Sequence, residues 1–198
     1  MKPKANRGRR TKADFRFQNA RLSFSFAGTL GDRGRLEPYE RLRSPADLSR
    51  WCVESGCVVT APHCSAADLT RAKQLRETIQ RAGECLAVGR AVSSSDVKII
   101  NRIAARPPLA PELVAGAAKV RWVGSGLEAV LSTVARDLIA ICDSPLKDRV
   151  RICENEECGV PFVDTSRAGI RRWCSMSTCG ALIKKRAYRE RLKEESRG

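Results

Sequence analysis

The chain has 198 residues, 42% of them hydrophobic and 30% charged, which describes a folded protein with one sizeable core and room for a small appended module rather than a fibrous or wholly disordered chain. Lys and Arg number 37 against 22 Asp and Glu, and this net charge of +15 opposes compaction and favours polyanionic partners. No stretch approaches the roughly 18 consecutive apolar residues of a spanning helix, and no apolar segment follows the basic start MKPKANRGRRTK, so the expectation is a cytoplasmic protein with no membrane partner and no export signal.

Basicity is concentrated at the two ends. Residues 1–43 carry 12 basic and 4 acidic side chains, residues 44–144 carry 12 and 10, and residues 145–198 carry 13 and 8. Residues 1–12 lack apolar periodicity and read as a disordered basic arm. The patterning predicts a mainly helical domain over 13–145, with a small β element at its N-terminus, and a small four-cysteine module over 146–198 made of a β-hairpin and a helix. The larger domain is expected to fold without the smaller one.

In chain order, Phe15, Phe17, Leu22, Phe24 and Phe26 nearly alternate, which predicts extended strands. The run GTLGDRG (28–34) reads as a turn at a sheet edge, since a phosphate cradle would need a helix start or Gly-Lys-Ser/Thr after it. Ser44-Pro45-Ala46-Asp47 combines an N-cap serine, a proline at the first helical position and an acid in the first turn. Ser65 and Asp68 repeat that logic for a helix through Leu69, Ala72, Leu75, Arg76 and Ile79 to Gly83. A third helix is predicted from near Ser95 until Arg106-Pro107-Pro108 stops it. Segment 112–123 fits strands or a loop equally well. The run 127–142, LEAVLSTVARDLIAIC, is apolar almost all round and predicts a helix through the middle of the core, closed by Ser144-Pro145.

Nine cysteines in a reducing compartment call for an explanation other than disulfides. Four residues separate Cys153 from Cys158, four separate Cys174 from Cys179, and fifteen lie between the pairs. Two such knuckles joined by a hairpin-length spacer bring four thiolates to one point, which suits one tetrahedral zinc with no open position for catalysis. Reduced core thiols, or an iron–sulfur cluster on the same ligands, are the alternatives; the equal spacings favour zinc. Gly159 and Gly180 each follow a ligand cysteine, where backbone must approach sulfur. A second candidate group is Cys52, Cys57, His63 and Cys64. Against a second metal there, small thiols buried at a helix end explain the same residues, and the adjacent His63 and Cys64 suit one tetrahedral centre badly.

The string CGVPFVDTSRAGIRRWCSMSTCG, with Lys184 soon after it, resembles the CGNR zinc finger, in which Cys-Gly, an aromatic, Asp-Thr/Arg-Ser, Arg-Arg-Trp-Cys and Ser-Met precede a final Cys-Gly. Upstream, FAGTLGDR, SPADLSRW and the helical middle resemble the ABATE domain that usually precedes this finger. Together these resemblances imply a stress-related transcription regulator with an N-terminal sensing or effector domain, a small-molecule ligand for that domain, a DNA-binding finger, and room for a homodimer. The family's Cys-Gly-Asn-Arg is here Cys179-Gly180-Ala181-Leu182, so an amide and a guanidinium are replaced by apolar side chains.

After Cys174, Ser175 is a plausible N-cap for a helix from Met176 to about Glu194. On it Met176, Cys179, Ile183 and Ala187 form one stripe expected to face the zinc, and Lys185, Arg189 and Lys193 fall opposite. That row, with Lys184, Arg186 and Arg191, suits the phosphates of double-stranded DNA better than a merely solvated face, because it has no acid in register. Arg167, Arg171 and Arg172 in the spacer are the candidates for reading bases. A zinc-stabilised protein- or RNA-interaction module is the competing reading. An enzyme is not expected: with one histidine and no nucleophile motif, no acid–base set can be assembled.

Overall fold

The computed structural model describes residues 14–116 and 119–195, so the basic arm expected over 1–12 lies outside the described residues. The fold is mainly helical. Among the described residues, no helix is long and apolar enough to cross a membrane.

The first departure from expectation is local. Residues 22–27 form a helix, α1 (Leu22–Ala27), rather than a strand. Alternation signals a strand only when one face is wet, and here Ser23, Phe24 and Phe26 are all fully buried. A helix satisfies the inner hydroxyls. Ser23 donates from both its amide and Oγ to Asp137 Oδ2, at 2.9 and 2.6 Å, and Ser25 Oγ donates to the Arg21 carbonyl at 2.9 Å. The small β element lies just beyond, where β1 (Leu30–Gly31) pairs antiparallel with β2 (Tyr39–Glu40).

Helices α2 (Pro45–Glu54) and α3 (Ala66–Ala87) each open on a complete capping box, Ser44 with Asp47 and Ser65 with Asp68. Gly83 does not end α3. It is buried mid-helix at a crossing point, where a Cβ would stand 2.7 Å from Pro161 Cβ and 3.1 Å from Phe24 Cε1. Ser93 caps α4 (Ser94–Ala104), and Arg81 of α3 pairs with Asp96 of α4 at 2.5 Å. The ambiguous segment is a hairpin, β3 (Ala110–Leu113) with β4 (Val120–Val123), exposed at every strand position. Helix α5 (Leu127–Cys142) occupies the expected span. It buries Val130, Val134, Leu138 and Ile141, while Arg136 and Ile139 face outward, so it is covered on one side rather than surrounded.

A 3-10 turn capped by Ser144 (Pro145–Arg149) leads into β5 (Val150–Ile152), which pairs antiparallel with β6 (Pro161–Val163). Both strands pack on α3. Val150 and Val163 belong to the same buried cluster as Phe24, Trp51, Leu75 and Val134. The boundary drawn at 145/146 therefore marks a change in local chemistry, but it runs through one shared core.

Candidate metal centre and the basic surface beside it

The first knuckle connects β5 to β6. Cys153 donates its amide to the Val160 carbonyl at 3.1 Å, and the amides of Cys158 and Gly159 both turn back to the Asn155 carbonyl, at 2.7 and 3.4 Å. Gly159 takes φ +61°, a conformation that favours glycine. The second knuckle is built differently. Ser175 accepts a hydrogen bond from the Thr178 amide and opens a π turn (Met176–Gly180), in which the Gly180 amide reaches the Ser175 carbonyl at 3.0 Å. Helix α6 (Ala181–Glu195) follows.

These two turns gather Cys153, Cys158, Cys174 and Cys179, whose sulfurs all lie within 4.8 Å of one another. The Cys158–Cys174 and Cys174–Cys179 sulfurs are 3.7 Å apart. A tetrahedron with Zn–S bonds of about 2.3 Å has edges of about 3.8 Å, so the cage fits zinc. All four cysteines are buried, over Phe162 and Val160 and beside Trp173. Four thiolates fill the coordination sphere, so this is a structural zinc site that holds two chain segments together.

The module has its β-hairpin and its helix, but the hairpin is β5–β6 and not the fifteen-residue spacer between the knuckles. Only 161–163 is strand, and it pairs across the first knuckle with β5 instead of with its own continuation. The loop after it is organised by Asp164, which the sequence reading passed over. Its carboxylate accepts from the amides of Ser166 and Arg171, both at 2.8 Å. Burial alone would raise this carboxyl, but those hydrogen bonds and the Arg149 charge hold it below its ordinary value. The signal was available: an Asx turn at Asp-Thr-Ser is a common loop device.

Among the candidate base readers, Arg171 is half-buried and turned inward. Its Nε donates to the Trp173 carbonyl at 2.8 Å, its Nη2 reaches the Cys174 carbonyl, and its guanidinium lies 5.2 Å from the centre of the Phe162 ring. Arg172 is exposed and paired with Glu154; Arg167 is exposed on the loop. Lys184, Lys185, Arg189, Arg191 and Lys193 are all exposed on α6, and Arg186 pairs with Glu157. The expected apolar stripe fails, because Met176 and Ala187 are exposed and Ile183 is only partly covered. The π turn inserts an extra residue per turn and rotates the register by about 100°.

The second cysteine group does not assemble. Among the described residues the only group placed to hold a metal is that of the finger. Cys52 and Cys57 belong to the main core, whereas His63 is exposed on a loop. Burial pushes the Cys52 thiol up to about 12, helped by its neighbours Cys64 and Cys57, so it stays protonated.

The finger is seated on the helical module through polar contacts as well as the shared core. Gln80 Nε2 donates to the Gly159 carbonyl at 2.8 Å, and the Gly34 amide donates to the Glu157 carbonyl at 3.3 Å. Gly34 must be glycine, since a Cβ would come 1.7 Å from the Glu156 carbonyl oxygen. The glycine run at 28–34 thus gives close passage to the finger. Glu157 bridges Arg35 at 2.7 Å and Arg186 at 2.5 Å, and those bonds hold its carboxyl below the usual range.

Comparison with known families agrees with this architecture. The model of ABATE, described as "Putative stress-induced transcription regulator", matches residues 20–145. The model of the CGNR zinc finger matches residues 149–192. No curated protein matches the chain.

Proposed function

The chain belongs to the ABATE family and carries a CGNR zinc finger at its end, and from that premise we propose that it is a cytoplasmic DNA-binding transcription regulator, in which the zinc finger and basic terminal helix grip duplex DNA and the helical module is the effector half. The observation that carries this reading is α6. Its 15 residues include no buried side chain, and they hold six cations against three acids. A helix with no core face gains little from packing, so a polyanion lying along it would supply what the protein does not.

Lys185, Arg189 and Lys193 recur every fourth residue and suit a run of phosphates, with Lys184, Arg186 and Arg191 widening the surface. Arg167 and Arg172 are the exposed candidates for base edges. Arg171 acts by holding the second knuckle in shape. With Ala181 and Leu182 in place of Asn and Arg, the base-specific contribution is the smaller one. We read the chain as non-catalytic, since its one histidine is exposed on a loop and its zinc site has no open position.

The test is binding of the zinc-loaded chain to duplex DNA across a salt series, with RNA and an acidic protein as competitors. Duplex binding that falls steeply with salt and survives both competitors supports the proposal. No duplex binding at low salt, with zinc in place, overturns it in favour of a protein- or RNA-interaction module.

A further inference from the structure

A cleft of about 490 Å3 opens in the helical module beside the β3–β4 hairpin. That volume lies within the range of small-molecule sites. Its lining combines the apolar Leu22, Leu109 and Trp122 with the charged Arg21, Arg136 and Asp137. The charges there are unequally committed. Asp137 is spent, taking Arg21 Nη2 at 2.8 Å on one oxygen and both Ser23 donors on the other. Arg136 gives its Nε to the Ala104 carbonyl at 2.9 Å, a neutral partner, and among the described residues it has no carboxylate within ion-pair distance. Arg21 Nε is buried with no hydrogen-bond partner. The charged part of the lining thus has one guanidinium charge in excess and one unmet donor.

Trp122 is 41% exposed although it is among the largest apolar side chains of the module. It also lines a second cleft, of about 440 Å3, with Val58–Pro62 and the Gly124–Gly126 turn. Gly124 and Gly126, at φ +127° and +84°, join the hairpin to α5. An aromatic surface and a guanidinium without a carboxylate partner, lining one cleft, suit a flat apolar body with a negative end.

We propose that this cleft binds a small aromatic carboxylate, its ring against Trp122 and Leu109 and its carboxylate on the Arg136 guanidinium. This deepens the reading of the helical module as the effector half and rests on that reading for its consequence. The binding itself is measured without DNA, so either can fail while the other stands.

The test titrates the zinc-loaded full chain with phenylacetate, following heat and tryptophan fluorescence, with acetate and phenylacetamide as controls. Phenylacetate should saturate one site and bind about tenfold more tightly than either control. Arg136→Gln should weaken phenylacetate about tenfold and leave phenylacetamide unchanged. Trp122→Phe keeps a ring, so it should retain the heat of binding and lose the fluorescence change. Both side chains are exposed, and unchanged circular dichroism and zinc content would certify the fold of each variant. The proposal is overturned by absence of saturable phenylacetate binding, by equal binding in Arg136→Gln, or by a fluorescence change that survives Trp122→Phe.

Discussion

Four sulfurs meet at one point because each is set by a small backbone device: the Asn155 carbonyl that folds the first knuckle, the positive φ of Gly159, the Ser175 cap and the π turn behind it. None of these turns has an apolar core large enough to hold itself, so the metal supplies the stability. Elemental analysis should give one zinc per chain. Cys174→Ser should lose it and unfold the finger, seen as lost near-ultraviolet dichroism of Trp173; full zinc occupancy in that variant would contradict the cage. Gly83 sits where α3 crosses β6 and α1. Adding an isopropyl group, whose Cβ alone would already crowd Pro161 and Phe24, overpacks the crossing, so Gly83→Val should cost about 1–3 kcal/mol in urea unfolding. A neutral result would mean that the strands can shift away from α3.

Between elements, one contact joins two helices and another joins the finger to them. The Arg81–Asp96 pair ties α3 to α4. The hydrogen bond from Arg81, with that from Ser93, holds the Asp96 carboxyl below its ordinary 3.8. A folded-state pKa lower than the unfolded one stabilises above the unfolded value, and that stability is lost as pH falls through the lowered pKa. Thermal melts of Asp96→Asn should therefore start lower at neutral pH and decline less on acidification below about pH 4 than those of the parent. The second contact is the seat of β5 and β6 on α3. Truncation before Arg151 removes Val163, whose burial is worth about 1.5–3 kcal/mol, and uncovers the α3 face around Gly83. Calorimetry should find a lower or broader transition than that of the intact chain. An unshifted cooperative melt would mean that the helical module is complete by itself, as its own caps and its α5 helix had suggested.

For the molecule as a whole, the governing quantity is charge. If Lys185, Arg189 and Lys193 each neutralise a phosphate, the logarithm of affinity falls with log salt by about 0.9 per contact. Replacing all three with Ala should flatten the slope by roughly 2–3 units on every sequence alike. Replacing Arg172 should instead cost about 1–3 kcal/mol on a preferred site and little on random DNA. Binding curves for both variants against a selected and a random duplex make the comparison. Equal losses on all sequences would describe a non-specific polyanion binder.

Much of this organisation is decided within a few residues, and there the sequence was sufficient. Capping serines with an acid three positions on start α2 and α3, prolines stop α4, and paired cysteines at equal spacing announce the metal cage, because each of these depends on neighbours along the chain. Family resemblance in the cysteine-rich segment added the expectation of a regulator. Tertiary structure alone decided the rest. Phe24 and Phe26 read as strand until both faces of the segment proved buried and Asp137, 114 residues away, supplied the cap that makes it a helix. Gly83 read as a helix end until Pro161 crossed it, and Arg171 read as a free cation until the second knuckle claimed its donors. The cleft beside Trp122 is drawn from α1, α5 and a hairpin that lie far apart in sequence. In each case the deciding partner is distant along the chain, and local pattern carries no information about which distant side chain will arrive.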